Sequence, residues 1–199
     1  PLLVDTTKMI ADPQVRNLAT VGGNLAHGDP ANDHPATMLA YRAEIEITGA
    51  PGARTVPIDE FFTDFFTTAL EHGEILTEIR IPIPPARSGG CYLKVERKVG
   101  DYAAAAVAVQ LSLSADGSIE QVGIGLTNVA ALPTRATDAE NALRGQQPSN
   151  AVFAQAGQLA ADASSPGDDL RGSTEYKLTL IRELIQRALR CSVERAQGR

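Results

Sequence analysis

The chain has 199 residues, of which 43% are hydrophobic and 21% are charged, which is typical of globular proteins with a sizeable core. Its formal net charge of −6 argues against binding to a nucleic-acid backbone, because proteins that bind one present a basic stripe that this sequence lacks. The longest uninterrupted apolar segment, 103–109, is far shorter than the roughly 20 residues that a membrane-spanning helix needs.

The cysteines and histidines have no spacing that indicates a metal site. Cys91 and Cys191 are far apart in the chain, and an iron–sulfur cluster requires more thiolates than the two present here. We therefore expect two free thiols in a reducing cytoplasm. The three histidines do not follow a zinc-ligand pattern. The sequence predicts no metal ligand and no catalytic acid, base or nucleophile.

The first predicted elements are a short helix over residues 1–11 and then a glycine turn. Gly22-Gly23 lies between Thr20 and Asn24. Adjacent glycines allow a positive φ, so we expect a sharp turn whose backbone N–H groups converge on an anion such as phosphate. Thr20 and Asn24 have short side chains that can donate hydrogen bonds to the same oxygens. A plain turn without a ligand is the alternative interpretation.

After this turn, the pattern predicts a helix, a hairpin and an aromatic helix. Residues 35–41 form a helix with proline in its first turn. Residues 43–48 alternate apolar and polar side chains, which predicts a half-buried strand, and Pro51-Gly52 turns the chain back. Four phenylalanines within 61–66 have a spacing that puts them on one helical face. We interpret them as core residues rather than as a cofactor-binding group.

The second half of the chain is predicted to contain strands and then helices. The strands are expected at 75–83, 92–97, 104–114 and 118–128, and the helices at 138–144, at 150–163 with Asn150 as cap, and from Ser173 or Thr174 onward. This order favours an α+β fold, with an antiparallel sheet backed by helices. The segment 84–90 is rich in proline and glycine. We place a domain boundary there, near residue 87.

The segment Arg16–Leu25, followed by Asp29–Pro35, resembles the second FAD-binding motif of the flavoprotein (medium) subunit of molybdenum hydroxylases. This family includes carbon monoxide dehydrogenase and the xanthine dehydrogenases. Further similarities occur in the same order at Thr55–Phe62, Gly73–Pro82, Lys94–Val107 and Asp168–Lys177. Because the matches extend over nearly the whole chain, the sequence is identified as a member of this family. The segments His27–Pro35 and Arg97–Tyr102 look most like the carbon monoxide dehydrogenase type.

The resemblance implies a fold and a phosphate site. Residues 1–87 would be the remaining part of a PCMH-like FAD-binding domain, and residues 88–199 a C-terminal α+β domain of the carbon monoxide dehydrogenase flavoprotein type. The FAD pyrophosphate would be held by backbone N–H groups and short side chains of Thr20, Val21, Gly22, Gly23 and Asn24. Asp33 would accept a hydrogen bond from a ribityl or ribose hydroxyl, with capping of a turn as its alternative role.

The resemblance also assigns residues to the isoalloxazine ring. Leu76 would lie against the ring, and Lys94 would lie near the ring edge, where a cation stabilises negative charge on reduced flavin. Tyr102 would lie beside or over the ring, although an isolated tyrosine of this kind is more often half-buried in a core. The segment from Lys94 to Tyr102 would then form a lip over the cofactor.

The function implied by the family is electron transfer. Electrons from iron–sulfur clusters would reach FAD on this chain and leave to an external acceptor. The molybdenum cofactor and the iron–sulfur (2Fe-2S) clusters would be on partner chains, namely a molybdenum large subunit and an iron–sulfur small subunit. The complex would be a cytoplasmic oxidoreductase without membrane insertion. The substrate and the final acceptor are not encoded by these residues.

One departure from the family pattern leaves alternatives open. Family members carry an earlier glycine-rich, pyrophosphate-contacting motif, and residues 1–12 contain no glycine. We therefore expect a fragment in which FAD is weakly bound or absent, and a docking remnant that does not bind flavin is the alternative function. A flavin-dependent NAD(P)H oxidoreductase acting alone is disfavoured, because no G-x-G-x-x-G segment follows a predicted strand.

Overall fold

The N-terminal part consists of five short helices, a three-stranded antiparallel sheet and a two-stranded hairpin. The computed structural model describes residues 1–198. The first elements are α1 (Leu2–Lys8), α2 (Pro13–Leu18), α3 (Val21–His27), α4 (Asp33–Tyr41), β1 (Glu44–Gly49), β2 (Gly52–Pro57), α5 (Ile58–Phe61), β3 (Phe62–Asp64), β4 (Thr67–Thr68) and β5 (Ile75–Arg80). The sheet has the order β2-β1-β5, and its hairpin follows the predicted alternation, with Ile45 and Ile47 fully buried.

The C-terminal part is an antiparallel sheet followed by helices. Its elements are β6 (Ser88–Glu96), β7 (Ala103–Leu113), β8 (Ile119–Thr127), β9 (Thr134–Arg135), α6 (Thr137–Leu143), α7 (Asn150–Asp162) and α8 (Thr174–Ala196). The sheet order is β6-β7-β8-β9. The predicted α+β class, with an antiparallel sheet backed by helices, is confirmed. Ser173 caps α8 as predicted, whereas α7 is capped by Ser149 and not by Asn150.

The central strand β7 is covered on both faces, which explains the uninterrupted apolar segment 103–109 within it. Val107, Val109 and Leu111 pack in the large core beneath α7 and α8. Ala106 and Ala108 face the other way, toward α1 and α4. Small side chains are required on this second face because the helix α4 lies close to the sheet.

Two glycines of β8 allow this close approach. A Cβ atom at Gly123 would collide with the backbone carbonyl oxygen of Ala40, and one at Gly125 with that of Ala36. Neither glycine has a positive φ, so the constraint is space and not backbone conformation. The sheet therefore fixes the position of α4, whose first turn carries Asp33.

The prediction of an aromatic helix over 61–66 is wrong. Phe61 and Phe62 are buried, but α5 ends at Phe61 and the chain enters a two-stranded hairpin. At its tip the Phe65 N–H donates to the Asp64 carboxylate, and Phe66 adopts a φ of 52°. Phe65 and Phe66 consequently point outward, with exposures of 58% and 46%. An aspartate that pairs with the next backbone N–H favours a turn over a helix interior.

Two further properties concern the described residues as a whole. Within residues 1–198, no helix combines the length and the apolar character that crossing a membrane requires. In the same residues, no cluster of histidine, cysteine and carboxylate side chains has the geometry of a metal site.

Candidate functional site

The Gly22-Gly23 pair lies in the first turn of α3, so the prediction of a sharp glycine turn is wrong. Thr20 is the N-cap, and its hydroxyl oxygen accepts a hydrogen bond of 2.9 Å from the Gly23 N–H. The left-handed residue of this segment is Gly28, at the end of the helix, with a φ of 68°. A threonine cap stabilises a helix start even where two glycines have low helix propensity.

The backbone at the start of α3 retains free donors. The N–H groups in the first turn of a helix have no intrahelical acceptor, and the Thr20 cap satisfies only that of Gly23. The Asn24 N–H donates to the Thr20 carbonyl oxygen. The N–H groups of Val21 and Gly22 therefore remain available to a ligand oxygen.

A cleft of about 470 Å³ lies beside α3, within the range of small-molecule sites. It is enclosed by the end of α1, by α2 and α3, by the start of α4 and by the segment 100–102. Five of the predicted site residues line this cleft, namely Thr20, Gly23, Asn24, Asp33 and Tyr102. Other residues that line it are Ile10, Ala11, Asp12, Val15, Leu18, Asn32, Gly100 and Asp101.

Four predicted site residues do not line this cleft. Val21 and Leu76 pack with the hydrophobic cluster of the N-terminal sheet. A Cβ atom at Gly22 would be 3.3 Å from the Leu76 Cδ2 atom, so Leu76 contacts the helix that bears the predicted phosphate groups. The side chain of Lys94 is only 1% exposed. The structure thus separates Leu76 and Lys94 from the cleft surface.

Asp33 sits in the wall of the cleft at the centre of a buried polar network. Its Oδ1 atom accepts a hydrogen bond from the Tyr92 hydroxyl, and its Oδ2 atom accepts one of 3.0 Å from the Lys94 ammonium. Burial raises the pKa of Asp33 above its ordinary value, and the Lys94 cation and the Tyr92 hydroxyl oppose that rise. Because both oxygens are held, the carboxylate has a fixed orientation in the wall of the cleft.

The Lys94 ammonium is surrounded by oxygen atoms of this chain and donates hydrogen bonds to two of them. It donates to the Met9 carbonyl oxygen at 3.1 Å and to Asp33, and it lies 3.2 Å from a carboxylate oxygen of Glu96. These three oxygens hold the ammonium inside the protein, with a side chain that is only 1% exposed. Lys94 therefore orients Asp33 and does not reach the cleft itself. The prediction that it belongs to an open lip is wrong, because it lies inside the strand β6.

Tyr102 stands at the mouth of the cleft and is 43% exposed. The loop that carries it passes close to the end of α1, where a Cβ atom at Gly100 would be 2.9 Å from the Ala11 carbonyl oxygen. Gly100 has a φ of 81°, which favours glycine at this position. Tyr102 and the exposed side chains of Val15 and Leu18 provide an apolar surface of the kind on which a flat ring packs.

Sequence reasoning missed Asn32, which connects two walls of the cleft. Its amide Nδ2 donates to the Asn24 carbonyl oxygen at 2.9 Å. The Asn24 Oδ1 atom is buried and has no hydrogen-bond partner among the described residues. An unsatisfied buried acceptor in a ligand-sized cleft indicates a donor on a ligand or a water. The high density of Gly, Asn, Asp and Pro in 28–35 was the signal that could have pointed to Asn32.

Comparison with known proteins bears on the same residues. Residues 1–84 match the family described as the FAD binding domain in molybdopterin dehydrogenase, and residues 90–192 match the C-terminal domain of the CO dehydrogenase flavoprotein. The chain belongs to the flavoprotein family of the molybdopterin dehydrogenases. Membership of this oxidoreductase family, as predicted from the sequence, is thereby confirmed.

Individual members of the family are similar over the whole chain. The carbon monoxide dehydrogenase medium chain of Afipia carboxidovorans is 43% identical over 100% of this chain and 67% of its own length. The nicotine 6-hydroxylase medium subunit of Paenarthrobacter nicotinovorans is 37% identical over 95% of this chain and 66% of its own length. The chain thus spans about two thirds of these flavoproteins.

A solved structure agrees with the fold as well. The carbon monoxide dehydrogenase of Hydrogenophaga pseudoflava contains a chain that superposes with a TM-score of 0.95 at 42% identity, covering 98% of this chain and 68% of that one. The arrangement of sheets and helices is therefore that of this family.

Proposed function

We propose that this chain binds FAD in the cleft beside α3 and transfers electrons as the flavoprotein part of a molybdenum-containing dehydrogenase of the carbon monoxide dehydrogenase type. The convergence of Thr20, Gly23, Asn24, Asp33 and Tyr102 on one cleft supports this most strongly. These residues come from three separate segments, and the sequence assigns all of them to FAD.

The start of α3 would hold the FAD pyrophosphate. The free N–H groups of Val21 and Gly22, the Thr20 hydroxyl and the Nδ2 amide of Asn24 offer donors to phosphate oxygens. Gly23 has no side chain, so an anion can approach the backbone there. Leu76 would support this helix through its contact with Gly22.

Asp33 would accept a hydrogen bond from a hydroxyl of the ribityl chain or the ribose. The Lys94 ammonium and the Tyr92 hydroxyl would keep its carboxylate in the orientation that the hydroxyl requires. Tyr102 would cover one side of the isoalloxazine ring and exclude water from it. Bound FAD would supply a group that accepts electrons singly and passes them on in pairs.

The partners follow from the family. Relatives named medium chain or medium subunit belong to larger dehydrogenases and hydroxylases. We infer that this chain works with an iron–sulfur small subunit and a molybdenum large subunit in the cytoplasm, and that an external molecule accepts the electrons. We also propose residues 1–87 and 88–199 as its two domains, which the family matches over 1–84 and 90–192 support.

Flavin content tests the proposal directly. The protein, purified in its natural assembly, is expected to be yellow, to release FAD on denaturation and to lose its visible absorption on reduction. Titration with FAD after flavin removal should restore the absorption band at one FAD per chain. A colourless protein that takes up no FAD but still assembles with its partners would instead support the docking function.

A further inference from the structure

The segment Asp168–Lys177, which ends in the first turn of α8, takes no part in the cleft wall but has a well-defined structure. The Asp169 carboxylate accepts hydrogen bonds from the N–H groups of Arg171, at 2.8 Å, and Gly172, at 3.1 Å. Its other oxygen accepts one of 2.7 Å from the Lys177 ammonium, whose residue is 2% exposed. These contacts fix a tight turn and the direction in which Arg171 leaves it.

Arg171 reaches from this turn to the loop that carries Tyr102. Its Nη2 atom lies 3.1 Å from the Asp101 carboxylate, and its guanidinium carbon lies 5.5 Å from the centre of the Tyr102 ring. Arg97 makes a second connection between the same loops, because its Nη1 atom donates to the Leu170 carbonyl oxygen at 3.1 Å. Two loops that are distant in sequence are thus joined at the mouth of the cleft.

We propose that Arg171 is a positioning residue that holds Tyr102 in place over the flavin ring. This inference rests on the proposed FAD function. Tyr102 is 43% exposed, so core packing alone does not fix its ring. The guanidinium lies over the ring and pairs with the neighbouring carboxylate at the same time, which an ammonium does less well. Tyr102 therefore covers the ring in one orientation instead of several.

The electrostatics agree with this role. Pairing with the Arg171 guanidinium keeps the pKa of Asp101 below its ordinary value. The Arg171 Nε atom is buried and has no acceptor within residues 1–198. Asp101 is thus the carboxylate that compensates the charge of Arg171 and holds the guanidinium beside Tyr102.

The test compares Arg171→Met and Arg171→Lys in the natural assembly, with Arg187→Met as the control. Arg187 is also on the C-terminal helix side of the molecule and pairs with Glu183 on the surface. Three properties are measured: hydrogen exchange of residues 97–102 in the flavin-free protein, the dissociation constant of FAD, and the visible circular dichroism of bound FAD. The last reports the asymmetry of the ring environment and does not follow from stability.

Arg171→Met is expected to raise exchange in 97–102, to weaken FAD binding roughly fivefold and to change the visible circular dichroism. Arg171→Lys should retain part of the exchange protection but not the dichroism, and Arg187→Met should resemble the wild type in all three. A Tyr102→Phe variant should keep the wild-type dichroism, because the ring that stacks is still present.

Two outcomes would overturn the inference separately from the proposed function. If wild-type protein binds FAD and Arg171→Met has unchanged dichroism and affinity, Arg171 serves the fold alone. If Arg171→Met loses thermal stability but not the orientation of the ring, the same conclusion holds. A wild-type protein that binds no FAD contradicts the proposed function itself, and with it this inference.

Discussion

Lys94 and Asp33 form an ion pair of 3.0 Å between β6 and the first turn of α4, where their side chains are 1% and 8% exposed. The pair connects the C-terminal sheet to the helix that lines the cleft. A buried charge that loses its partner remains desolvated, so breaking such a pair is far more costly than breaking one on the surface. Asp33 is therefore both a candidate ligand contact and part of the junction between the two halves of the molecule.

We expect Lys94→Met to reduce the free energy of unfolding by about 3–5 kcal/mol, because it leaves the Asp33 carboxylate buried without a cation. Urea denaturation measures the loss. Arg187→Met, which removes an exposed pair with Glu183, should cost less than about 1 kcal/mol.

The double variant Lys94→Met with Asp33→Asn refines this prediction. It should recover part of the lost stability, because the unpaired charge is then gone. If Lys94→Met is as mild as the surface control, the ammonium contributes nothing to the junction and the interpretation of Lys94 as an orienting residue is wrong.

Gly125→Ala is expected to destabilise the protein by about 1–3 kcal/mol or more, because the new methyl group meets the Ala36 carbonyl of α4 and the backbone cannot move away. Gly167→Ala is the matched control, since a Cβ atom there has open space around it. Thermal unfolding distinguishes the two. Equal melting temperatures would mean that α4 is not seated on the sheet at this point.

Local sequence signals predicted much of the C-terminal fold. The largely apolar segment 104–114 and the residues Asp116-Gly117, which favour a turn, indicate β7, β8 and their hairpin, because strand and turn signals are short-range properties. The role of the β8 glycines is not visible in the sequence, because it depends on α4, which lies far away in the chain.

The candidate site was predictable only as far as motif similarity reached. Thr20, Gly23, Asn24, Asp33 and Tyr102 were assigned and do share one cleft. The sequence did not predict that Gly22 and Gly23 are helical, because glycine adopts many backbone conformations and so indicates little about its own φ. The cap formed by the Thr20 side chain is what favours the helix here. The burial of Lys94 depends on residues 9, 33 and 96 together, which no local pattern reveals.

His34 makes stability depend on pH in the acid range. It is 6% exposed, and burial lowers its pKa from 6.5 to about 4. Between these values the unfolded chain binds a proton that the folded chain does not, so stability falls as the pH drops from about 6.5 to about 4. The full loss amounts to about 3 kcal/mol at roughly 1.4 kcal/mol per pH unit.

The His34→Leu variant isolates this contribution. Burial raises the pKa of Asp33 and of Glu140, so in acid the folded chain binds protons at these carboxylates more readily than the unfolded chain does. This difference stabilises the folded state as the pH falls and opposes the effect of His34. Urea denaturation at several pH values should show a smaller loss of stability for His34→Leu than for the wild type below about pH 6.5. Parallel pH profiles of the two proteins would mean that His34 does not enter the folded state uncharged.

The contribution of Thr20 to the stability of α3 can be distinguished from its proposed role in FAD binding. A second helix cap, Ser149, serves as the comparison. The Thr20 hydroxyl oxygen accepts from the Gly23 N–H at 2.9 Å, and the Ser149 hydroxyl oxygen accepts from the Val152 N–H at 3.3 Å at the start of α7, away from the cleft. Thr20→Ala and Ser149→Ala should each cost about 1 kcal/mol of unfolding free energy. Only Thr20→Ala is expected to weaken FAD binding, by roughly tenfold, since the loss of this cap also disturbs the N–H donors that face the ligand.

Equilibrium titration with FAD, followed by flavin fluorescence, measures the difference between the two variants. If both variants bind FAD like the wild type, the start of α3 does not hold the pyrophosphate, and the ligand contacts must lie elsewhere in the cleft.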